Sequence, residues 1–84
     1  MLPYKDISPE LREFTEEVSE LELKWHRDLE DRTVRAVEST DWQLQLEDEL
    51  PRSLTAPITI TAGTWHRVIK GTGNLVVKII KDHE

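Results

Sequence analysis

Apolar and polar residues alternate with a period of two through most of this chain, and every alternating run is short. Leu21, Leu23 and Trp25 alternate with Glu22, Lys24 and His26, and Trp42, Leu44 and Leu46 alternate with Gln43, Gln45 and Glu47. Ile58, Ile60 and Ala62 alternate with Thr59 and Thr61. A two-residue repeat puts successive side chains on opposite faces of an extended backbone, so each run is a half-buried strand. Thr33-Val34-Arg35-Ala36-Val37, residues 65–69 and residues 75–80 add three more. Turn signals stand between them at Glu38-Ser39-Thr40-Asp41, at Gly63 and at Gly71-Thr72-Gly73-Asn74, and residues 48–57, with Pro51 and Pro57, form a longer connection. No ten-residue helical pattern lies between strands, which excludes a parallel α/β fold. The chain is expected to be mainly β, an antiparallel sandwich or small barrel.

One helix is expected. Ser8-Pro9-Glu10 combines a capping hydroxyl, a proline at the first helical position and an acid in the first turn. Leu11, Phe14 and Val18 follow at helical spacing, which predicts a short helix over residues 9–17 that must dock on something to persist. The 84 residues make one domain, with a helical segment over 1–19 and the β-barrel over 20–80. In the closing run Leu75, Val77 and Ile79 face one way, yet Val76 and Ile80 are apolar too. A strand apolar on both faces needs cover on both, and in so short a chain a second subunit supplies it, so a homodimer is expected.

Charge is unevenly spread. Residues 1–50 hold 15 acids against 6 bases, and residues 51–84 hold 2 acids against 5 bases. The acidic half argues against nucleic acid, whose phosphates are gripped by clustered Lys and Arg. No apolar run reaches the roughly 18–20 residues that span a bilayer, and the opening residues lack a secretory plan, so a soluble, cytoplasmic protein is expected. Cysteine is absent, which removes disulfides and thiolate chemistry. The Gly71-Thr72-Gly73 segment leads into a strand and not a helix, so it is a hairpin turn and no phosphate loop.

Candidate chemistry gathers in a repeated tripeptide. Trp25-His26-Arg27 and Trp65-His66-Arg67 lie forty residues apart in a chain with three Trp and three His. If strand pairing joins them, His26 and His66 share a site, and Asp28 supplies a carboxylate beside the first. Two imidazoles and one carboxylate suit a divalent ion, whether Fe, Mn, Zn or Ni. Asp31 is the next carboxylate candidate, and His83 in the C-terminal tail is expected to take no part. Arg27, Arg32 and Arg67 oppose a cation and can pair with the same acids. Arg27 and Arg67 can instead bind a small anionic ligand in a pocket lined by Trp25 and Trp65. The plainer readings are imidazoles satisfied by backbone, Trp25, Trp42 and Trp65 as core, and arginines paired with surface acids.

These blocks resemble the cupin superfamily. Its first block runs His-x-His, then Glu, then a turn Gly. The matching stretch here is His26-Arg27-Asp28, with Glu30 or Asp31 near the Glu position and Ser39-Thr40 at the turn. Its second block runs Pro-x-Gly-x-x-His and then Asn. Thr61-Ala62-Gly63-Thr64-Trp65-His66 matches it at Gly63 and His66, while Thr61 replaces the Pro and Lys70 the Asn. The likeness covers about residues 20–80 and is close to very small cupin-like proteins of phages and bacteria. These carry a Trp-His-Arg-Asp block and end in His-Arg-Val-Ile-Lys-Gly, here residues 66–71. The resemblance implies a small jelly-roll β-barrel binding a small molecule or one divalent metal through His26, His66 and Asp28, where Asp28 takes the place of a second family His. If a metal is held, a metal-dependent cupin-type enzyme is implied. The alternative is a dimeric assembly or sensing module with no metal, virion-associated if phage-encoded.

Overall fold

The computed structural model describes residues 2–82, and His83 lies outside the described residues. Eight strands follow in order: β1 (Lys5–Asp6), β2 (Leu11–Phe14), β3 (Asp31–Ala36), β4 (Gln43–Leu46), β5 (Arg52–Ser53), β6 (Ile58–Ile60), β7 (His66–Ile69) and β8 (Leu75–Asp82). All pairings are antiparallel. One sheet runs β1-β2-β8-β3-β6 and the other β5-β4-β7. The expected barrel is therefore two sheets around one core, without a continuous closed wall of strands.

Alternation translates directly into burial. Leu44 and Leu46 of β4, Ile58 and Ile60 of β6, and Leu75, Val77 and Ile79 of β8 are all buried in that core. On the opposite face of β8, Ile80 is 44% exposed in the single chain. Trp42 is fully buried, and its indole N–H donates to the carbonyls of Thr72 and Gly73, each at 3.2 Å. A buried indole without such a partner is costly.

The helix expected over residues 9–17 does not form. The segment is β2, paired with β8 from Leu11 opposite Lys78 to Phe14 opposite Leu75. Ser8-Pro9-Glu10 is the turn of the β1–β2 hairpin, closed by Ile7 N–H to Leu11 O at 2.8 Å and Leu11 N–H to Ser8 O at 3.3 Å. The same residue types serve helix caps and tight turns. A helix this short is marginal in water, whereas β8 offers a ladder edge and a pocket where Phe14 packs on Tyr4 and Trp42. The strand expected from Leu21 is also absent. Ser19 caps a 3-10 turn at Glu20–Glu22, and of its apolar residues only Leu23 enters the core, while Leu21 is exposed.

The β7–β8 turn tolerates no side chain at its first position. A Cβ on Gly71 would press on Asp41 Oδ1 and lie 2.7 Å from Trp42 N. Asp41 clamps that turn, accepting from Thr72 N–H at 2.8 Å and from the Thr72 hydroxyl at 2.9 Å. Gly71→Ala is expected to destabilise the protein by about 1–3 kcal/mol in urea unfolding. Gly73→Ala meets open space and strains only a left-handed φ of 69°; it should cost about 1 kcal/mol.

Candidate metal centre

The two tripeptides meet. His26 N–H donates to His66 O at 2.9 Å and His66 N–H to His26 O at 2.8 Å, a single antiparallel bridge outside any strand of the first copy. A hydrogen-bonded antiparallel pair places both side chains on one face. The two imidazoles accordingly stand side by side, with ring centroids 4.2 Å apart. Their flanking residues project to the other face and cross over. Arg67 lies 4.9 Å from the Trp25 ring and Arg27 lies 5.1 Å from the Trp65 ring, within cation–π range. The duplicated sequence is thus a self-complementary clasp.

Asp28 completes the group. Donor atoms of His26, Asp28 and His66 all lie within 4.8 Å of one another, and His66 Nε2 is 3.3 Å from Asp28 Oδ2. The loop carrying Asp28 is tied to the loop before β7, because Gly63 N–H donates to Asp28 O and Ala62 N–H to Asp31 Oδ1, both at 2.8 Å. Asp31 is therefore occupied by backbone and stands outside the group. Arg32 meets Asp28 Oδ1 at 3.5 Å and Glu30 at 3.2 Å, and Lys81 reaches Glu30 at 3.6 Å.

Each imidazole is fixed from behind. His26 Nδ1 donates to Lys24 O at 3.0 Å, and His66 Nδ1 donates to Thr64 O at 2.8 Å. A carbonyl can only accept, so both Nδ1 atoms carry hydrogen and each neutral ring keeps its lone pair on Nε2. These two carbonyls escaped the sequence reading. The signal is the equal offset, a partner two residues before each His of the repeat.

His66 is 4% exposed. Burial pushes its pKa below the ordinary 6.5, with the charges of His26 and Arg32 acting in the same direction, against the Thr64 carbonyl and Asp28. Near neutrality the ring is uncharged, so its lone pair faces the Asp28 carboxylate with no proton between them. Asp28 Oδ2 is buried and accepts no hydrogen bond among the described residues. An ion bound at about 2.0–2.2 Å holds its donors about 3.0–3.5 Å apart, and a cation between these two atoms relieves the repulsion.

The group borders a cavity of about 330 Å³ between the sheets, lined at this end by His26, Asp28, Arg32 and His66. Trp25, Arg27, Trp65 and Arg67, expected around a ligand, are placed elsewhere; none lines this cavity, and both indoles are 40% exposed. Trp42 is core.

The solved structure of KdgF from Halomonas sp., a cupin-fold protein, superimposes on this chain with a TM-score of 0.58. The likeness covers 96% of this chain and 88% of that one, at 14% sequence identity. The fold is cupin-like. At that identity the likeness is one of fold alone. No protein-family model matches the chain, and no curated protein does. Among the described residues no helix is long and apolar enough to cross a membrane.

The depressed His66 pKa sets a pH dependence in the chelator-treated protein. Below pH 6.5 the unfolded chain takes up a proton that folded His66 refuses, so stability falls as the pH drops from 7 toward 5. His66→Gln is expected to flatten that part of the profile, measured as the wild-type minus variant difference in urea unfolding at pH 5, 6 and 7.

Proposed function

We propose that this chain is a small cupin-like metal-binding protein holding one divalent ion through His26, Asp28 and His66. The observation that carries the reading is the His66 Nε2 to Asp28 Oδ2 contact at 3.3 Å, a lone pair facing a carboxylate oxygen that accepts no hydrogen bond among the described residues. His26 supplies the second imidazole from the adjacent bridge. The fit extends to the surroundings. Both rings are oriented by backbone carbonyls, as metal-bound histidines are by their outer partners. Arg32 opposes a cation, but its charge is shared with Glu30, and it grips Asp28 through Oδ1 while Oδ2 stays turned to the imidazole. Two nitrogens and one oxygen suit Zn, Fe, Ni or Mn. Such an ion supplies Lewis acidity and keeps coordination positions open to a small molecule.

Calorimetric titration of the untagged protein with zinc, nickel or manganese tests the reading. One ion per chain is expected, and His26→Ala, His66→Ala and Asp28→Asn should each weaken binding by more than about tenfold while circular dichroism is retained. Binding that survives His66→Ala, or no binding to the wild type, contradicts it.

A second reading, self-association into a dimeric module, is favoured by the exposed Ile80 on the outer face of β8. Sedimentation equilibrium is expected to show a dimer that Ile80→Lys returns to monomer.

A further inference from the structure

The cavity has two chemically distinct ends. Phe14, Val34, Leu44, Leu54, Ile60 and Ile79 line its interior, all buried aliphatic or aromatic side chains. Its charged lining residues are Arg12, Lys24, Arg32, Glu22 and Asp28, but Arg12 is paired with Asp6, and Arg32 with Asp28 and Glu30, so the side chains leave no excess of positive charge. A divalent ion held by two neutral imidazoles and the single Asp28 carboxylate would itself put a net positive charge at that end. The metal-loaded end therefore favours an anion, while next to it Val34, Leu44, Leu54, Ile60 and Ile79 offer no partner for hydroxyl groups, the polar Tyr4 and Arg12 lying on the Phe14 side.

We propose that the ligand of this site is a short monocarboxylate with an apolar body, its head at the His26–Asp28–His66 end and its chain in the cavity. The proposal rests on the metal reading above. A sugar acid meets the charge requirement, but with its head at the histidines its hydroxyls would be buried against Val34, Leu44, Leu54, Ile60 and Ile79, which cannot hydrogen-bond them, and each unpaired hydroxyl is penalised. An uncharged hydrocarbon satisfies the interior but leaves the charge of the bound ion uncompensated. Size sets a further limit. At about 330 Å³ the cavity is near the lower end of small-molecule sites, so the body is a short chain or a single ring.

The probes are acetate, hexanoate, hexanamide and glucuronate, titrated by calorimetry into the zinc-loaded protein at constant ionic strength. Each methylene taken from water multiplies affinity roughly fourfold, so hexanoate, with four more than acetate, is expected to bind tighter by on the order of a hundredfold. Hexanamide and glucuronate should both bind at least about tenfold more weakly than hexanoate, the one lacking charge and the other burying hydroxyls. Orientation is read without any variant. In the manganese-loaded protein the protons next to the hexanoate carboxylate should relax faster than those of its terminal methyl. In the zinc-loaded protein that methyl should show cross-peaks to Leu44, Leu54 or Ile60 methyls.

Equal binding of glucuronate and hexanoate, or a methyl relaxed faster than the head, overturns the proposal while zinc binding stands. Zinc binding that withstands loss of His66 removes the metal reading and this ligand with it.

Discussion

The pair of backbone hydrogen bonds between His26 and His66 is the constraint on which the site depends. It joins segments forty residues apart, places two imidazoles on one face, and sends two indoles and two guanidiniums to the other. No strand supports the first copy, so two backbone bonds alone are a thin tether. The crossed Trp–Arg pairs on the outside add to it, each contributing on the order of 0.5–1 kcal/mol at exposed sites. The duplication of Trp-His-Arg therefore has a mechanical reason. Only an antiparallel pairing of the tripeptide with itself brings each arginine over the opposite tryptophan.

From that tether outward, each layer restricts the next. Hydrogen bonds from both Nδ1 atoms to carbonyls two residues earlier fix the tautomers. The tautomers expose both Nε2 lone pairs, and Gly63 N–H anchors the loop that sets Asp28 beside them. What results is a pocket edge where the His66 lone pair and the unpaired Asp28 Oδ2 face each other, with Arg32 on the far side of the carboxylate.

Much of this was legible in the sequence. The period-two runs at 42–46, 58–60 and 75–80 became strands because their apolar members had a core to enter, and the hairpin turn at Gly71 to Asn74 followed from its residue types. The pairing of the two histidines was legible from the repeat. Residues 9–17 were misread because a Ser-Pro-acid signal serves a hairpin turn as readily as a helix, and only the free edge of β8 decides between them. Leu21 and Trp25 broke their alternation for a related reason, since the Ser19 cap starts a 3-10 turn before a ladder can form. The role of Arg27 and Arg67 depends on which face each residue occupies, and that is set by the register of one bridge, a long-range contact that local composition does not encode.

The most direct test of the facing lone pairs is a long-range proton–nitrogen NMR spectrum of the imidazoles in chelator-treated protein near neutral pH. The described geometry requires both His26 and His66 to show protonated Nδ1 and bare Nε2, with the Nε2 signals shifting when zinc is added. A protonated Nε2 on His66, donating to Asp28 and unmoved by zinc, would contradict it.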